Sequence, residues 1–317
     1  MRNKKVLIIG GGGFIGSALA EQFCKTNQVT IADKCPCEAS PLYARRLHMD
    51  NIRYVQCDAA QPEMAAALGH DFDYIIHACA VLGIRTVASQ SIHTIMTNTA
   101  SCRIALELAA EQEHLSKFVL LSSSEVYGIR AERPQESEMA VIGPPAEGRW
   151  CYAASKILSE HLAFAYHRER SVPLVVIRPF NIFGEYRTGS NAITTFLDRA
   201  IRGEELVIDG DGQQVRAWCY IDDFVNGVVK ALESPYTDAV FNLGNPENEI
   251  SIRGLAERIL ALSGSASTVR ITYSKEPDVR FRSVNIEKAR RLLGYEPSVS
   301  LEDGLRRLYQ WRKNGGF

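Results

Sequence analysis

Apolar residues along this chain fall in short, nearly continuous runs separated by segments with helical spacing. Val6 to Ile9, Val29 to Ala32, Tyr74 to His77, Phe118 to Leu121 and Leu174 to Ile177 are such runs. A strand that is apolar on consecutive positions has both faces buried, as in a parallel sheet covered by helices on either side. Between the runs lie a helix starting near Phe14, a short one over Pro62 to Leu68, and longer ones over Ser91 to Gln112 and Tyr152 to Arg170. The helix from Ser91 carries apolar residues at Ile95, Ala105, Leu106 and Leu108, with Asn98 in its middle. Arg53 to Gln56 reads as a further short strand ending at Cys57 and Asp58. Strands alternating with helices predict an α/β fold with a doubly wound parallel sheet, whose ligand chemistry belongs at the carboxyl ends of the strands.

The second half is less regular. Helices are predicted over Ile193 to Ile201, Phe224 to Leu232, Ile252 to Leu262, Glu287 to Leu293 and Leu301 to Trp311, with strands over Leu206 to Ile208, Trp218 to Ile221 and Val240 to Leu243. Asp209 to Gly212 reads as a turn, and Asp222 and Asp223 open the helix that follows. This is a smaller mixed α/β lobe with polar loops. Lys34 to Asn51 reads as loop with one short helical piece. Residues 129 to 150, with Pro134, Pro144 and Pro145, form a long loop over the sheet edge, where binding loops and lids are common.

Composition adds exclusions. The formal net charge of -1 gives no argument for nucleic acid or an anionic membrane as partner. No apolar run approaches the length of a membrane span. Residues 1 to 5 lead straight into the first strand, so no signal peptide is expected. Eight cysteines are scattered without the paired spacing of a zinc site, Cys35 and Cys37 flanking a proline. They read as reduced thiols, no metal is expected, and a cytoplasmic location follows as the default.

The candidate chemistry begins at VLIIGGGGFIG, Val6 to Gly16. Glycines after a strand let the backbone turn tightly and approach a ligand. A helix opening at Phe14 and Ile15 would point its free N–H groups at a diphosphate. Asp33 ends the next strand, where an acid can take a ribose 2′-hydroxyl. Both Gly11, Gly13, Gly16 and Gly10, Gly13, Gly16 fit known spacings. Asp58 could contact the adenine edge or cap the next helix. Ala78 and Ala80 are small enough for close approach of a cofactor. Asn98 is a satisfied buried amide or a brace for the active site.

Tyr152 and Lys156 stand four apart on a predicted helix and so share a face. An ammonium beside a phenol favours the phenolate, pulling the tyrosine from about 10 towards neutrality and making it a general base. Ser122, Ser123, Ser124 and Glu125 sit at the end of the strand before that helix.

Gly10-x-x-Gly13-x-x-Gly16, the serine cluster and Tyr152-x-x-x-Lys156 together resemble the short-chain dehydrogenase/reductase superfamily. The resemblance selects the second glycine set, leaving Gly11 and Gly12 as loop filler. More narrowly, GGGGFIGS, SSSEVYG, YAASK, RPFNIFGE, WCYIDDF, FNLGN and KARRLLGYEP resemble the extended branch that modifies nucleotide sugars. That branch implies NAD as cofactor, bound through Gly10, Gly13, Phe14, Ile15, Gly16, Asp33, Asp58, Ala78, Ala80, Asn98, Tyr152 and Lys156. The charge of Asp33 agrees, since it would repel the extra phosphate of NADP. It also implies a NAD-binding Rossmann domain over 1–180, with 217–245 returning to it, and a UDP-sugar-binding lobe over 181–317. A homodimer paired through the helices from Ser91 and from Tyr152 is a further expectation.

In that branch Tyr152 abstracts the sugar's 4-hydroxyl proton as NAD oxidises C4, and Ser123 or Ser124 holds the same oxygen. Three fates of the 4-keto sugar are open. A 4,6-dehydratase needs an acid where this chain has Ser124, which disfavours dehydration. A 4-epimerase needs no Glu125. A glucuronate carboxylate, β to the new ketone, can leave as carbon dioxide. SSSEVYG, GRWCYAASK, RPFNIFGE, NAITTFL and FNLGNPENEISI resemble UDP-glucuronate decarboxylases, and DVxxR places Asp278, Val279 and Arg282 on matching positions. The resemblance gives Arg282 the carboxylate and C5, or leaves Arg280 or Arg282 binding the diphosphate. Asn181 and Arg216 match further substrate contacts. The family's lysine or isoleucine and then proline after the arginine are Ser283 and Val284 here, and VLGIRTV, Val81 to Val87, resembles some sugar 4-epimerase-like proteins.

Overall fold

The computed structural model describes residues 1–40, 50–187, 189–272 and 279–316. Asp278 and most of the segment between Lys34 and Asn51 lie outside them. In chain order the strands are β1 (Lys5–Ile9), β2 (Gln28–Asp33), β3 (Ile52–Gln56), β4 (Tyr74–His77), β5 (Lys117–Leu121), β6 (Leu174–Pro179), β7 (Ile182–Phe183), β8 (Leu206–Asp209), β9 (Val215–Ala217), β10 (Cys219–Tyr220), β11 (Asp238–Leu243), β12 (Glu249–Ser251), β13 (Val269–Thr272) and β14 (Phe281–Arg282). The helices are α1 (Phe14–Phe23), α2 (Glu63–Leu68), α3 (Ile84–Ser89), α4 (Ser91–Ala110), α5 (Cys151–Arg170), α6 (Ala192–Arg202), α7 (Ile221–Glu233), α8 (Ile252–Ser263), α9 (Glu287–Leu293) and α10 (Leu301–Lys313).

Among the described residues, seven strands make one parallel sheet in the order β11-β6-β5-β4-β1-β2-β3. The alternation of side chains along β1 explains why it is apolar throughout. Val6 and Ile8 enter the core cluster that also holds Leu19 and Phe224, whereas Leu7 and Ile9 enter the one with Cys102 and Leu106. Each face is thus covered by its own helices, the doubly wound Rossmann arrangement. The strand order reverses between β1 and β4, so the crevice for a ligand opens beyond the carboxyl ends of those two strands.

Outside the large sheet, β9 is flanked by β12 and β14. The β9–β14 register sets Arg216 opposite Arg282, so two arginines far apart in sequence lie side by side. Trp218 to Ile221 is not the single strand its apolar character predicts. Only Cys219 and Tyr220 of the stretch pair, as β10; Trp218 separates them from β9, which ends at Ala217, and Ile221 already belongs to α7, whose first turn holds Asp222 and Asp223. The segment VLGIRTV contains the start of a short helix, α3.

Candidate active site

The turn after β1 is closed by contacts that only glycine tolerates. Gly10 has φ +84, and a Cβ there would stand 2.6 Å from the Cys79 nitrogen. A Cβ on Gly16 would come within 2.3 Å of the Gly10 carbonyl oxygen, which is how α1 packs so near the strand end. Gly11 and Gly12 are more than filler: a Cβ on Gly11 would be 2.6 Å from Ile31 Cγ2, and the Gly12 N–H donates to Asp33 Oδ2 at 3.0 Å. Gly13 begins α1 with no side-chain cap, and the first turn has no acid, leaving the N–H groups of Phe14 and Ile15 open for an anion. These features fit a dinucleotide diphosphate, with Asp33 beside the same turn.

The other predicted cofactor residues divide. Ala78 and Ala80 follow β4, and the Ala78 N–H donates to the Ile9 carbonyl at 2.8 Å, so they border the crevice. Asp58 is exposed and accepts the Ala60 N–H at 2.9 Å, a local turn bond. Asn98 is buried with both amide ends engaged. Its Oδ1 accepts from Val81 N–H at 2.7 Å, and its Nδ2 donates to Ser155 Oγ at 3.1 Å. It braces the segment after β4 against α5.

Lys156 is buried on α5, one turn from the half-buried Tyr152, and its Nζ donates to the Leu121 carbonyl at 2.8 Å. The expectation that Lys156 pulls the phenol towards neutrality does not hold in this arrangement. Tyr152 is pushed up to about 12 by desolvation, which outweighs the opposing hydrogen bond of Ser123; Glu125 raises it further and Arg282 lowers it. Burial also lowers Lys156, against the nearby Cys79, Cys102 and Glu160. The ammonium is directed at the end of β5, and the groups that act most on the phenol are those of the serine turn and Arg282.

The three serines separate by role. Ser122 donates to Glu160 Oε1 at 2.5 Å, a buried bond. Ser123 accepts the Glu125 N–H at 3.1 Å and so fixes the short 3-10 turn Ser124–Tyr127. Ser124 is buried at the start of that turn. Glu125 meets Arg282 in a two-pronged ion pair: Nη1 to Oε1, and Nη2 to Oε2 at 3.0 Å. The Arg282 side chain is 9% exposed and that of Glu125 28%, while Arg282 Nε is buried without a hydrogen-bond partner. Arg216, beside Arg282, donates from Nη1 to the Val215 carbonyl at 2.8 Å. Asn181, in the left-handed region at φ 41, donates its Nδ2 to the Ala217 carbonyl at 2.9 Å. Arg280 is exposed and lies over the Phe281 ring, apart from the buried arginine pair.

A second buried ion pair escaped the sequence analysis. Arg178 Nε donates to Glu160 Oε1 at 2.9 Å and Nη2 to Oε2 at 2.7 Å, while Nη1 donates to the Tyr127 hydroxyl at 2.8 Å and the Glu136 carbonyl at 3.1 Å. Tyr127 in turn donates to Asn242 Oδ1 at 2.7 Å. The network ties β6, β11, α5 and the 3-10 turn after β5 together. Glu160 lies one turn beyond Lys156 on the same helix, a spacing signal that was visible. Ser283, which departs from the family pattern, also has work: its Oγ accepts the Arg133 N–H at 2.9 Å and its N–H donates to the Ala131 carbonyl at 3.0 Å, pinning the long loop beside Arg282.

Fold and turn thus define a dinucleotide-dependent Rossmann enzyme with a tyrosine–lysine pair at the crevice. The model of the NAD dependent epimerase/dehydratase family matches residues 6–244. The chain belongs to that family, an enzyme of the extended short-chain dehydrogenase/reductase type with NAD as its cofactor. It is 31% identical to a UDP-N-acetyl-alpha-D-glucosaminuronate decarboxylase of Bacillus cytotoxicus, over 97% of this chain and 97% of that protein. It is 32% identical to UDP-glucuronic acid decarboxylase 1 of Xenopus tropicalis, over 98% of this chain and 72% of the relative. Among solved structures, the UDP-glucuronic acid 4-epimerase of Bacillus cereus in complex with UDP-glucuronic acid and NAD is 28% identical, covers 98% of this chain and 99% of its own, and superposes with a TM-score of 0.86.

Proposed function

We propose that this protein oxidises C4 of UDP-glucuronate and releases its C6 carboxylate as carbon dioxide, giving a UDP-4-keto-pentose that can be reduced to UDP-xylose. The observation that carries this reading is the Glu125–Arg282 pair beside Tyr152. A 4-epimerase has no need of such an acid. NAD, when bound, supplies the two-electron oxidation at C4. Gly10, Gly13, Phe14, Ile15 and Gly16 would receive its diphosphate, Asp33 its ribose, and Asp58, Ala78 and Ala80 would border it, with Asn98 bracing the crevice.

Tyr152, once ionised, takes the proton of the 4-hydroxyl, with Arg282 and Ser123 favouring the phenolate, and Ser123 and Ser124 hold that oxygen. Lys156 orients the cofactor's ribose from one turn further along the same helix face. With a ketone at C4, the carboxylate is β to a carbonyl. Loss of carbon dioxide leaves an electron pair shared between C5 and the 4-oxygen, where hydroxyl donors stabilise the developing charge. Arg282 meets the substrate carboxylate, Glu125 sharing that guanidinium, and the pair governs protonation at C5. Asn181, Arg216 and, more peripherally, Arg280 bind the UDP portion.

We read residues 1–180 with 217–245 as the cofactor domain and the rest of 181–317 as the sugar lobe; the pairing of β11 with β6 supports this. A homodimer accounts for Ile92 and Met96, 82% and 64% exposed one turn apart on α4, and Leu158, 43% exposed on α5. A sedimentation run showing only monomer at micromolar concentration would remove it. Eight free thiols support a reducing, cytoplasmic setting. Among the described residues no helix is long and apolar enough to cross a membrane.

The test is incubation with UDP-glucuronate and NAD. Carbon dioxide should appear with a pentose product by nuclear magnetic resonance. A product that is only the 4-epimer would replace this reading by a UDP-sugar 4-epimerase, which the likeness to the Bacillus cereus structure supports.

A further inference from the structure

Three arginines of the crevice region differ in how their charge is met. Arg178 is held by Glu160 and Arg282 by Glu125. Arg187 has no carboxylate partner among the described residues. Its guanidinium lies over the Phe14 ring, 5.5 Å from carbon to centroid, its Nη1 reaches the Ile182 carbonyl at 3.3 Å, and its Nε is buried without a partner. Burial alone lowers its affinity for the proton. The neighbouring acid, Glu185, is turned elsewhere and accepts from the Tyr220 hydroxyl. Tyr186, at φ 62, stacks on Trp311 with centroids 5.1 Å apart, which fixes the turn that delivers Arg187 inward.

A desolvated guanidinium without an anion is costly to a fold, and leaving its fork unfilled forgoes the strongest hydrogen bonds it can make. Phe14, on which it rests, opens the helix whose first N–H groups are uncapped. We propose that Arg187 is a diphosphate receptor, closing on the ligand from the sugar lobe while the glycine turn holds the other side. The chemistry fits the diphosphate of NAD or that of the UDP-sugar, and in naming those ligands it rests on the function proposed above.

Calorimetric titration of wild type and Arg187→Gln with NAD, UDP, adenosine and uridine tests it without any turnover. Loss of charge-assisted hydrogen bonds should weaken NAD or UDP by about ten- to a hundredfold and leave the nucleosides unchanged. The ligand that weakens identifies which diphosphate Arg187 takes. Arg187→Lys, which keeps the charge but not the fork, should show the same selectivity with a smaller loss, and it serves if the glutamine variant does not fold. NAD and UDP both binding within about twofold of wild type, where a charge-assisted bond predicts far more, would overturn the proposal. So would a parallel loss of the nucleosides, which marks a scaffold residue. If wild type itself binds neither NAD nor UDP, the proposed function falls along with it, whereas intact wild-type binding with an indifferent variant removes Arg187 alone.

Discussion

The two arginine–glutamate pairs of this enzyme, Arg178–Glu160 and Arg282–Glu125, use the same fork-on-carboxylate geometry to opposite ends. Both Arg178 and Glu160 side chains are 10% exposed, and the pair is closed around by Ser122 and Tyr127. Glu125 is 28% exposed, and Arg282 keeps a buried Nε without a partner. A fully satisfied buried pair fixes structure, since either partner alone would be a stranded charge. An incompletely satisfied pair at the crevice retains capacity for a substrate. Removing an acid from each should therefore injure different properties.

The largest effect should come from Glu160→Ala, which strands Arg178 and should cost about 3–5 kcal/mol of stability, read by urea denaturation. Next, Glu125→Gln should lower carbon dioxide release by about 10²- to 10⁴-fold, while its denaturation midpoint falls less than that of Glu160→Ala, because the amide still accepts from Arg282 and the site is more open. A smaller effect, about 1–3 kcal/mol, is expected for Ser122→Ala, which removes one donor to Glu160 without stranding a charge. The subtlest effect is on pH dependence. Glu125 disfavours the Tyr152 phenolate. Replacing it by glutamine should lower the phenol's pKa and move the limb of the pH–rate profile that reports base deprotonation to lower pH, in whatever activity remains. Glu160 acts on Lys156 rather than Tyr152, so Glu160→Gln should leave that limb in place and make Lys156 easier to deprotonate. Equal shifts in the two variants would erase the distinction between the pairs.

The large sheet was legible because β1, β2, β4, β5 and β6 are apolar on both faces and separated by helical spacing. The smaller lobe was not, for β7, β9, β10, β12 and β14 have two or three residues each, too few for any period to show. Their pairing is what brings Arg216 beside Arg282, and no local pattern carries a contact of that sequence separation. The tight contacts at Gly10 and Gly16 fall on the expected spacing, whereas Gly13 shows only a 3.4 Å contact and the need for Gly11 comes from Ile31 on another strand. The same holds for Tyr152: helical spacing put Lys156 on its face, whereas burial and the groups arriving from the serine turn and β14 set its proton affinity. Arg178 went unread because its partners come from three separate segments.

The central claim is that Glu125, with Arg282, makes this a decarboxylase rather than an enzyme that only rotates its sugar. UDP-glucuronate labelled with ¹³C at C6, given with NAD to wild type and to folded Glu125→Gln, tests it most directly. The account predicts that wild type frees the label as carbon dioxide and that the variant leaves it on the sugar. Wild type that retains the label in a 4-epimer, or a variant that frees it at the wild-type rate, would contradict the account.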